Sequence, residues 1–194
     1  MDERTDPIAA FQDAFTRARA IESTDPTAMT LATADASGRP SARMVLLKGI
    51  DARGFVFYTN RASRKALQIA ENPVGALCIH WPMLHEQVRA EGAVELVSNG
   101  ESDAYFATRP RGSQIAAWAS EQSASLASRD VLLERVRELE ARFQGREVPR
   151  PEFWGGYRLV PERIEFWWGK KDRLHERALF TRRGEGWAFE LLQP

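Results

Sequence analysis

The chain has 194 residues, enough for one substantial core, and its 27 Lys and Arg residues balance 27 Asp and Glu residues. A protein without net charge has no overall field that draws it onto nucleic acid or an anionic membrane, so we expect neither partner, and any anion must be bound by local clusters. The single cysteine, Cys78, excludes an internal disulfide and a multi-cysteine metal site. No leader peptide and no apolar run of about 20 residues is visible, so a soluble cytoplasmic protein is expected.

The first half of the chain predicts a helix followed by an antiparallel meander. Ile8, Phe11, Phe15 and Ala18 recur every three or four residues, which is typical of an amphipathic helix over Pro7–Ile21, within a helical N-terminal segment 1–24. Period-two segments separated by turns then predict strands over 28–33, 41–48, 54–58, 74–80 and 87–97. Ser63 is positioned to cap a helix running to about residue 71.

The second half predicts a helical insertion and a return to strands. Helices are expected over 102–107, 113–119 and 129–143, within an insertion spanning 98–145. Strands are expected over 156–159, 163–168, 177–181 and 187–191, with a hairpin turn at 184–186. Strands from both ends must share one sheet, so we predict a single domain, 1–194, of mainly β structure with helices (α+β), in which a nearly closed barrel forms.

Common catalytic signatures are missing from the sequence. No glycine-rich nucleotide motif of the Rossmann or P-loop type is present. His80, His85 and His175 are not at ligand spacing, so no metal is predicted. The candidate chemistry therefore lies in basic residues that stand among apolar or small neighbours.

Two of these basic clusters lie in the first third of the chain. Alternation along a strand sends Arg43 and Lys48 to opposite faces, so that one strand could serve two anions, although both charges could instead flank an apolar strand and reach solvent. Arg64 and Lys65 stand in the first turn of a helix, where the helix dipole is already positive. A bound phosphate reverses the sign of that interaction, and the alternative is an ordinary surface helix start.

Two further clusters follow. Tyr105, Arg109 and Ser113 crowd one turn, which indicates either a phosphate site or a simple linker between helices. Downstream, two tryptophans precede Arg173, His175 and Arg177, which are expected to alternate along one face of an extended segment on which a planar ligand could stack. The alternative for His175 is an ordinary surface or core histidine. Single-stranded nucleic acid is disfavoured because the basic patches are scattered and the net charge is zero.

Together these motifs resemble the pyridoxine/pyridoxamine 5'-phosphate oxidase family, in the family's order and approximate spacing from about Asp25 to the C-terminus. The segments that carry the resemblance are Arg43-Met44-Val45-Leu46-Leu47-Lys48, Phe57-Tyr58-Thr59-Asn60, Ser63-Arg64-Lys65, Arg109-Pro110-Arg111-Gly112-Ser113-Gln114-Ile115, Gln122-Ser123, Phe153-Trp154-Gly155-Gly156-Tyr157, Ile164-Glu165-Phe166-Trp167 and Arg173-Leu174-His175.

The resemblance implies an FMN-binding split β-barrel that is a homodimer with FMN at the subunit interface, in which residues 153–194 supply dimerisation and substrate strands. It implies oxidation of pyridoxamine or pyridoxine 5'-phosphate to pyridoxal 5'-phosphate, with O2 as acceptor and H2O2 as product, in vitamin B6 biosynthesis or salvage. Hydride transfer of this kind uses the chemistry of the cofactor, which agrees with the missing nucleophile.

The resemblance also implies the roles of individual residues. The expected FMN contacts are Arg43, Met44, Val45, Leu46, Leu47, Lys48, Tyr58, Thr59, Arg64, Lys65, Gln87, Gln122, Ser123, Trp167 and Arg177. The substrate phosphate is expected to contact Lys48, Tyr105, Arg109 and Ser113. Leu174 is a further substrate contact, while Arg173 and His175 are expected to be catalytic and to hold the pyridine ring against the flavin.

Two features depart from the family pattern. The chain begins shortly before Asp25, so the basic, tyrosine-bearing lid segment of many members is expected to be missing. Glu176 stands where Asp is commoner, as in the related phenazine-biosynthesis flavin oxidases, which are therefore the alternative function. The stretch from Arg109 to Ser113 favours a phosphorylated substrate. A third possibility is a non-catalytic binder of FMN or pyridoxal phosphate.

Overall fold

The computed structural model describes residues 1–194 as five α-helices and nine strands. The helices are α1 (Pro7–Ile21), α2 (Arg64–Glu71), α3 (Asn99–Ala107), α4 (Arg111–Ala119) and α5 (Arg129–Arg142). The strands are β1 (Ala28–Ala34), β2 (Pro40–Leu46), β3 (Gly49–Asp51), β4 (Gly54–Asn60), β5 (Val74–Trp81), β6 (Glu86–Leu96), β7 (Trp154–Trp168), β8 (Glu176–Arg183) and β9 (Gly186–Leu192). None of the helices is both long and apolar enough to cross a membrane.

All nine strands form one antiparallel sheet, as predicted for a mainly β protein with helices. The order is β2-β1-β5-β6-β7-β4-β3, with β8 added to β7 and β9 to β8. The backbone N–H of Lys48, just after β2, donates to the carbonyl of Val56 in β4 at 2.8 Å. This bond extends the β3–β4 pairing, and only Leu47 and Lys48 connect β2 with β3, the strands at the two ends of the order, so the sheet curls toward a barrel.

The long strand β7 corrects the predicted break between 159 and 163. The sequence predicted two strands, 156–159 and 163–168, and Pro161 lies between them. In the structure Pro161 lies opposite Gly92 at a bulge in the β6–β7 pairing, where the missing N–H of proline is tolerated. Gly92 is needed there because a Cβ atom would stand 2.1 Å from the carbonyl oxygen of Val160. The short strand β3 was also missed.

The main core lies between the sheet and α1. Phe11 of α1 is fully buried, with its ring 4.9 Å from Phe55 and 5.6 Å from Trp81, measured between centroids. A second, smaller core of Phe106, Ile115, Phe143, Val148 and Trp154 lies beneath the helical insertion. The insertion is therefore fastened to the start of β7, and it forms one wall of the site described next.

Candidate functional site

A cavity of about 540 Å³ lies where β2 and β4 face the helical insertion, and 18 residues line it. Eleven of these were predicted from the sequence, and they include both expected FMN contacts and expected phosphate contacts. They are Met44, Val45, Leu46, Lys48, Tyr58, Thr59, Lys65, Tyr105, Arg109, Ser113 and Gln122. The fold thus brings residues from five separate motifs to one cavity.

Lys65 is a buried cation that has only neutral partners. Its ammonium group donates to Thr59 Oγ1 at 3.0 Å, Ser63 Oγ at 3.2 Å and Gln122 Oε1 at 2.9 Å. Burial, together with the nearby charge of Arg43, lowers the pKa of Lys65 to about 8. A buried ammonium without a carboxylate is suited to receiving an anionic ligand.

The first turn of α2 differs in detail from the prediction. Ser63 occupies the N-cap position but its hydroxyl makes no capping bond, because it accepts from Lys65 instead. The backbone N–H of Arg64 donates to Ser123 Oγ at 3.2 Å, and Ser123 has a left-handed backbone with φ of 76°. The expected contacts Arg64 and Ser123 therefore stand together at the start of this helix, outside the cavity lining.

Arg43 does not line the cavity, although Val45, two residues further along β2, does. Its guanidinium donates to the carbonyl of Leu31 at 3.0 Å, to Thr33 Oγ1 at 2.7 Å and to Ser41 Oγ. Burial and the charge of Arg64 lower the pKa of Arg43. Lys48, in contrast, lines the cavity. Of these two charges only Lys48 lines the cavity, and the role of Arg43 toward FMN stays a prediction.

Arg109 is a further cation without a carboxylate partner. Its guanidinium stacks 4.6 Å from the ring centroid of Trp154, and its buried Nη1 atom has no hydrogen-bond partner. Burial lowers the pKa of Arg109. Arg109 lines the cavity together with Lys48 and Ser113, and a guanidinium without an ion-pair partner is suited to an anionic ligand.

The other predicted residues gather at the far end of β7, outside this cavity. Gln87 pairs with Trp167 across β6 and β7, and Trp167 pairs with Arg177 across β7 and β8. The imidazole of His175 lies 4.7 Å from the ring of Trp167. Its Nδ1 atom accepts the backbone N–H of Lys170 at 3.1 Å, so the neutral ring carries its proton on Nε2.

Sequence comparison identifies the family. Residues 16–143 match the family model described as pyridoxamine 5'-phosphate oxidase, and residues 154–194 match the pyridoxine 5'-phosphate oxidase C-terminal dimerisation region. The chain belongs to the pyridoxamine 5'-phosphate oxidase family. Its members are oxidoreductases, and the match to the dimerisation region supports a homodimer.

Curated relatives carry the same name. A pyridoxine/pyridoxamine 5'-phosphate oxidase of Anaeromyxobacter dehalogenans (strain 2CP-C) is 60% identical over 97% of this chain and 96% of its own length. One of Rubrobacter xylanophilus is 58% identical over 97% of this chain and 87% of its own length.

Solved structures confirm the predicted split-barrel fold of the family. PhzG from Burkholderia lata 383, crystallised in complex with tetrahydrophenazine-1-carboxylic acid, aligns with a TM-score of 0.94 at 33% identity, covering 100% of this chain and 95% of that one. A pyridoxamine 5'-phosphate oxidase-related, FMN binding protein of Nostoc punctiforme aligns with a TM-score of 0.77 at 18% identity, covering 96% of each chain, and shares the fold.

Against this family background, the segment at 173–177 does not have the predicted conformation. It was expected to be extended, with Arg173, His175 and Arg177 on one face. The structure instead has a turn of 3-10 helix at 171–173, in which Asp172 and Arg173 have left-handed backbone with φ of 57° and 61°. Such angles are unfavourable for residues other than glycine and occur mainly where function or packing imposes them. Only Arg177 stands in a strand.

Two more expected contacts lie outside the cavity. Leu47 is buried in the main core, where its backbone N–H donates to the carbonyl of Thr27 at 2.8 Å. Leu174 is exposed after the turn at 171–173. Their predicted contacts with FMN and with substrate stay predictions.

Seven cavity residues were not assigned a role from the sequence. They are Asn60, Thr108, Pro110, Ala116, Ala117, Ser120 and Trp154. Trp154 stands in a quoted family motif, yet an aromatic residue at a strand start ordinarily indicates core packing. The neighbouring Gly155 and Gly156 were the available signal, since a Cβ atom on Gly156 would lie 2.7 Å from the ring of Tyr58.

Proposed function

We propose that this chain is an FMN-dependent oxidase that converts pyridoxamine 5'-phosphate and pyridoxine 5'-phosphate to pyridoxal 5'-phosphate, with O2 as the electron acceptor and H2O2 as product. The cofactor is FMN, and the reaction belongs to vitamin B6 biosynthesis or salvage. The observation that carries the proposal is the cavity lined by Lys48, Lys65 and Arg109, in which Lys65 and Arg109 have only neutral neighbours, in a family member of zero net charge. A cytoplasmic location stays a prediction from the sequence.

The residues around the start of α2 fit the phosphate of FMN. Lys65, held only by neutral oxygen atoms, and the first-turn residue Arg64 supply positive charge, and Ser123 stands beside the same turn. Backbone N–H groups at a helix N-terminus add to this attraction. When bound, FMN supplies the acceptor for the hydride that leaves the C4' carbon of the substrate.

The phosphate of the substrate fits the other cations of the cavity. Lys48 and Arg109 supply charge, and the hydroxyls of Tyr105 and Ser113 supply hydrogen bonds. Arg109 lines the cavity and has aromatic rings rather than a carboxylate beside its guanidinium, so a bound phosphate supplies the counter-charge that the chain does not.

The second group of residues, Gln87, Trp167, Arg173, His175 and Arg177, completes the site in a homodimer. Trp154 at the start of β7 lines the cavity, whereas Trp167 stands 13 residues later, roughly 40 Å along the strand. A partner chain brings its own second group to this cavity, with FMN between the subunits. Met44 and Leu46, which line the cavity while exposed in the single chain, are covered in such a dimer.

Within that assembled site, Arg173 and His175 orient the pyridine ring. The Nε2–H of neutral His175 is free to donate to the substrate because the backbone of Lys170 occupies Nδ1. Arg173 stabilises negative charge on the ring oxygen during oxidation. The chain's own residues therefore bind, orient and donate hydrogen bonds, and none acts as a nucleophile.

The alternative is oxidation of a phenazine precursor. It is favoured by the similarity to PhzG and by Glu176, which follows His175 and begins β8. A phenazine carboxylic acid has no phosphate, so it leaves the Lys48 and Arg109 pair without the ligand to which these residues are suited.

A substrate assay tests the proposal. Purified protein with FMN is expected to convert pyridoxamine 5'-phosphate to a product with the absorbance of the aldehyde, with release of H2O2, and to oxidise pyridoxamine much more slowly. Equal rates on both amines contradict the phosphate assignment.

Variants test the division of roles. Arg173→Ala is expected to slow flavin reduction more than it weakens FMN binding, whereas Arg64→Ala or Lys65→Ala is expected to weaken FMN binding more than it slows flavin reduction. Loss of FMN affinity alone in all three variants contradicts this division of roles.

A further inference from the structure

We propose that Trp154 is a positioning residue that holds the guanidinium of Arg109 in the orientation that grips the substrate phosphate. This inference rests on the proposed function, and it assigns to Trp154 control over the affinity for phosphorylated substrates.

The first observation is how Arg109 is held. Its guanidinium carbon lies 4.6 Å from the ring centroid of Trp154 and 5.4 Å from that of Phe106, and it forms no ion pair. The neighbouring Arg111 is fixed differently, by donating to the carbonyls of Phe143 at 2.7 Å and Arg146 at 2.9 Å. Stacking on aromatic rings is therefore the interaction that orients Arg109.

The second observation is that the supporting indole is itself fixed. Trp154 is 7% exposed, and its ring is nearly parallel to Tyr58 at 5.3 Å and to Tyr105 at 6.2 Å. Phe106 packs edge-on against it at 5.1 Å. Because these rings come from β4, α3 and β7, the stack ties the platform to three elements of the fold.

The physical advantage lies in what stacking leaves free. A carboxylate that held Arg109 would occupy its N–H donors and neutralise the charge that a phosphate needs. An indole face attracts the cation through its quadrupole and leaves the donors, which point outward in the guanidinium plane, open to a ligand. In this structure no carboxylate holds Arg109, and its Nη1 atom is buried against the chain without a hydrogen-bond partner.

The test is a kinetic comparison on the FMN-loaded enzyme. Trp154→Leu is expected to raise KM for pyridoxamine 5'-phosphate about tenfold, and Trp154→Phe about threefold, within the range of cation–π interactions, with kcat nearly unchanged. KM for pyridoxamine, which has no phosphate, is expected to stay at the wild-type value. Trp118→Leu is the matched control, because Trp118 stacks with Arg142 at 5.6 Å but does not line the cavity.

A double-mutant cycle separates positioning from general packing. If Trp154 acts through Arg109, then Trp154→Phe or Trp154→Leu adds no further rise in KM to that of Arg109→Ala. Additive effects, or equal rises in KM for both amines, overturn the inference. If Trp154→Leu does not fold, Trp154→Phe in the same cycle decides. If the wild-type enzyme does not oxidise pyridoxamine 5'-phosphate, the proposed function is refuted. If the wild-type enzyme is active and the Trp154 variants have the same KM as the wild type, only this inference is refuted.

Discussion

Two regions of the molecule treat buried basic side chains in opposite ways. Beside β3, the side chain of Arg158 is 3% exposed and donates to Asp51 at 2.6 Å and to Glu101 at 3.2 Å. In the cavity, Lys65 and Arg109 are surrounded by neutral oxygen atoms and aromatic rings. The guanidinium of Arg158 is therefore paired with carboxylates of the same chain. Lys65 and Arg109 have no such partner, which is the arrangement expected of residues that bind an anionic ligand.

The difference shows how a binding site can be recognised in a protein of zero net charge, by whether a buried cation has a carboxylate partner. A paired cation contributes to the fold, and its removal leaves its partners without a counter-charge. An unpaired, desolvated cation opposes folding until a ligand arrives, so its presence indicates function. The two kinds of residue are expected to separate cleanly when stability and catalysis are measured side by side.

The largest effect is expected for Arg109→Ala. Losing charged hydrogen bonds to phosphate costs about 3 kcal/mol, so kcat/KM for pyridoxamine 5'-phosphate falls about 100-fold. The melting temperature of the apoprotein stays the same or rises, because a desolvated cation has been removed. Steady-state kinetics and thermal melts of the same preparation check both parts. A variant that melts markedly lower and keeps its kcat/KM places Arg109 with the structural arginines.

Arg158→Ala is expected to do the reverse. The carboxylates of Asp51 and Glu101 remain partly in water, so we expect a loss of about 2 kcal/mol in the free energy of unfolding, or roughly 4 to 8 °C in melting temperature. The value of kcat/KM for the folded fraction is unchanged. Denaturant melts and kinetics below the transition check this, and a fall in kcat/KM at full stability contradicts it.

The pH dependence of FMN binding sharpens the comparison. In the unliganded fold the pKa of Lys65 is about 8, below its usual value of 10.5, and a bound phosphate favours the charged form. FMN affinity therefore falls as pH rises above about 8, by up to about tenfold per pH unit. The stability of the apoprotein rises between about pH 8 and 10.5, because there the unfolded state binds more protons.

Quenching of flavin fluorescence at several pH values measures the affinity of Lys65 variants. Lys65→Arg is the matched control, because arginine stays charged throughout and flattens the profile. A wild-type affinity that is constant from about pH 7 to pH 10 shows that Lys65 does not face the phosphate of FMN.

The smallest effect is expected for a solvent-exposed pair. Arg137 and Glu134 form a contact on α5 with side chains 66% and 59% exposed. Because water screens such pairs, Arg137→Ala is expected to change the free energy of unfolding by less than about 0.5 kcal/mol and to leave kinetics unaltered. Chemical denaturation of the wild type and the variant measures this change. A larger loss of stability would indicate that exposed arginines such as Arg137 stabilise the fold as much as buried, paired ones such as Arg158.

Many of the basic residues near the cavity could be predicted from the sequence, because short local patterns identify them. The alternation from Arg43 to Lys48 predicted opposite faces, and the cations at 64 and 65 predicted a helix start suited to an anion. The family motifs placed Arg109 and Ser113 in one site before any geometry was known. These inferences depend on neighbours within a few residues, where backbone periodicity is decisive.

The remainder depended on contacts between distant segments. The predicted strands 156–159 and 163–168 are one strand, because the bulge opposite Gly92 lets β7 continue through Pro161. The left-handed backbone at Arg173 has no signal in residue type, because glycine is absent there. Trp154 belongs to the second core, and its contact with Arg109 joins residues 45 positions apart in the sequence. Such features depend on contacts between residues far apart in the sequence, so they become visible only when the fold is known.

The long strand β7 determines where the chain could be divided without loss of the fold. The two family models meet between residues 143 and 154, which suggests a detachable C-terminal module. Yet β7 pairs with β6 from Glu86 to Leu96 and with β4 from Phe55 to Asn60. A shortened chain ending near residue 150 would leave both strands with open edges, which invite aggregation. We therefore expect split-protein or truncation designs to fail at this apparent module boundary, and insertions to be tolerated better at the β8–β9 hairpin tip around Gly184.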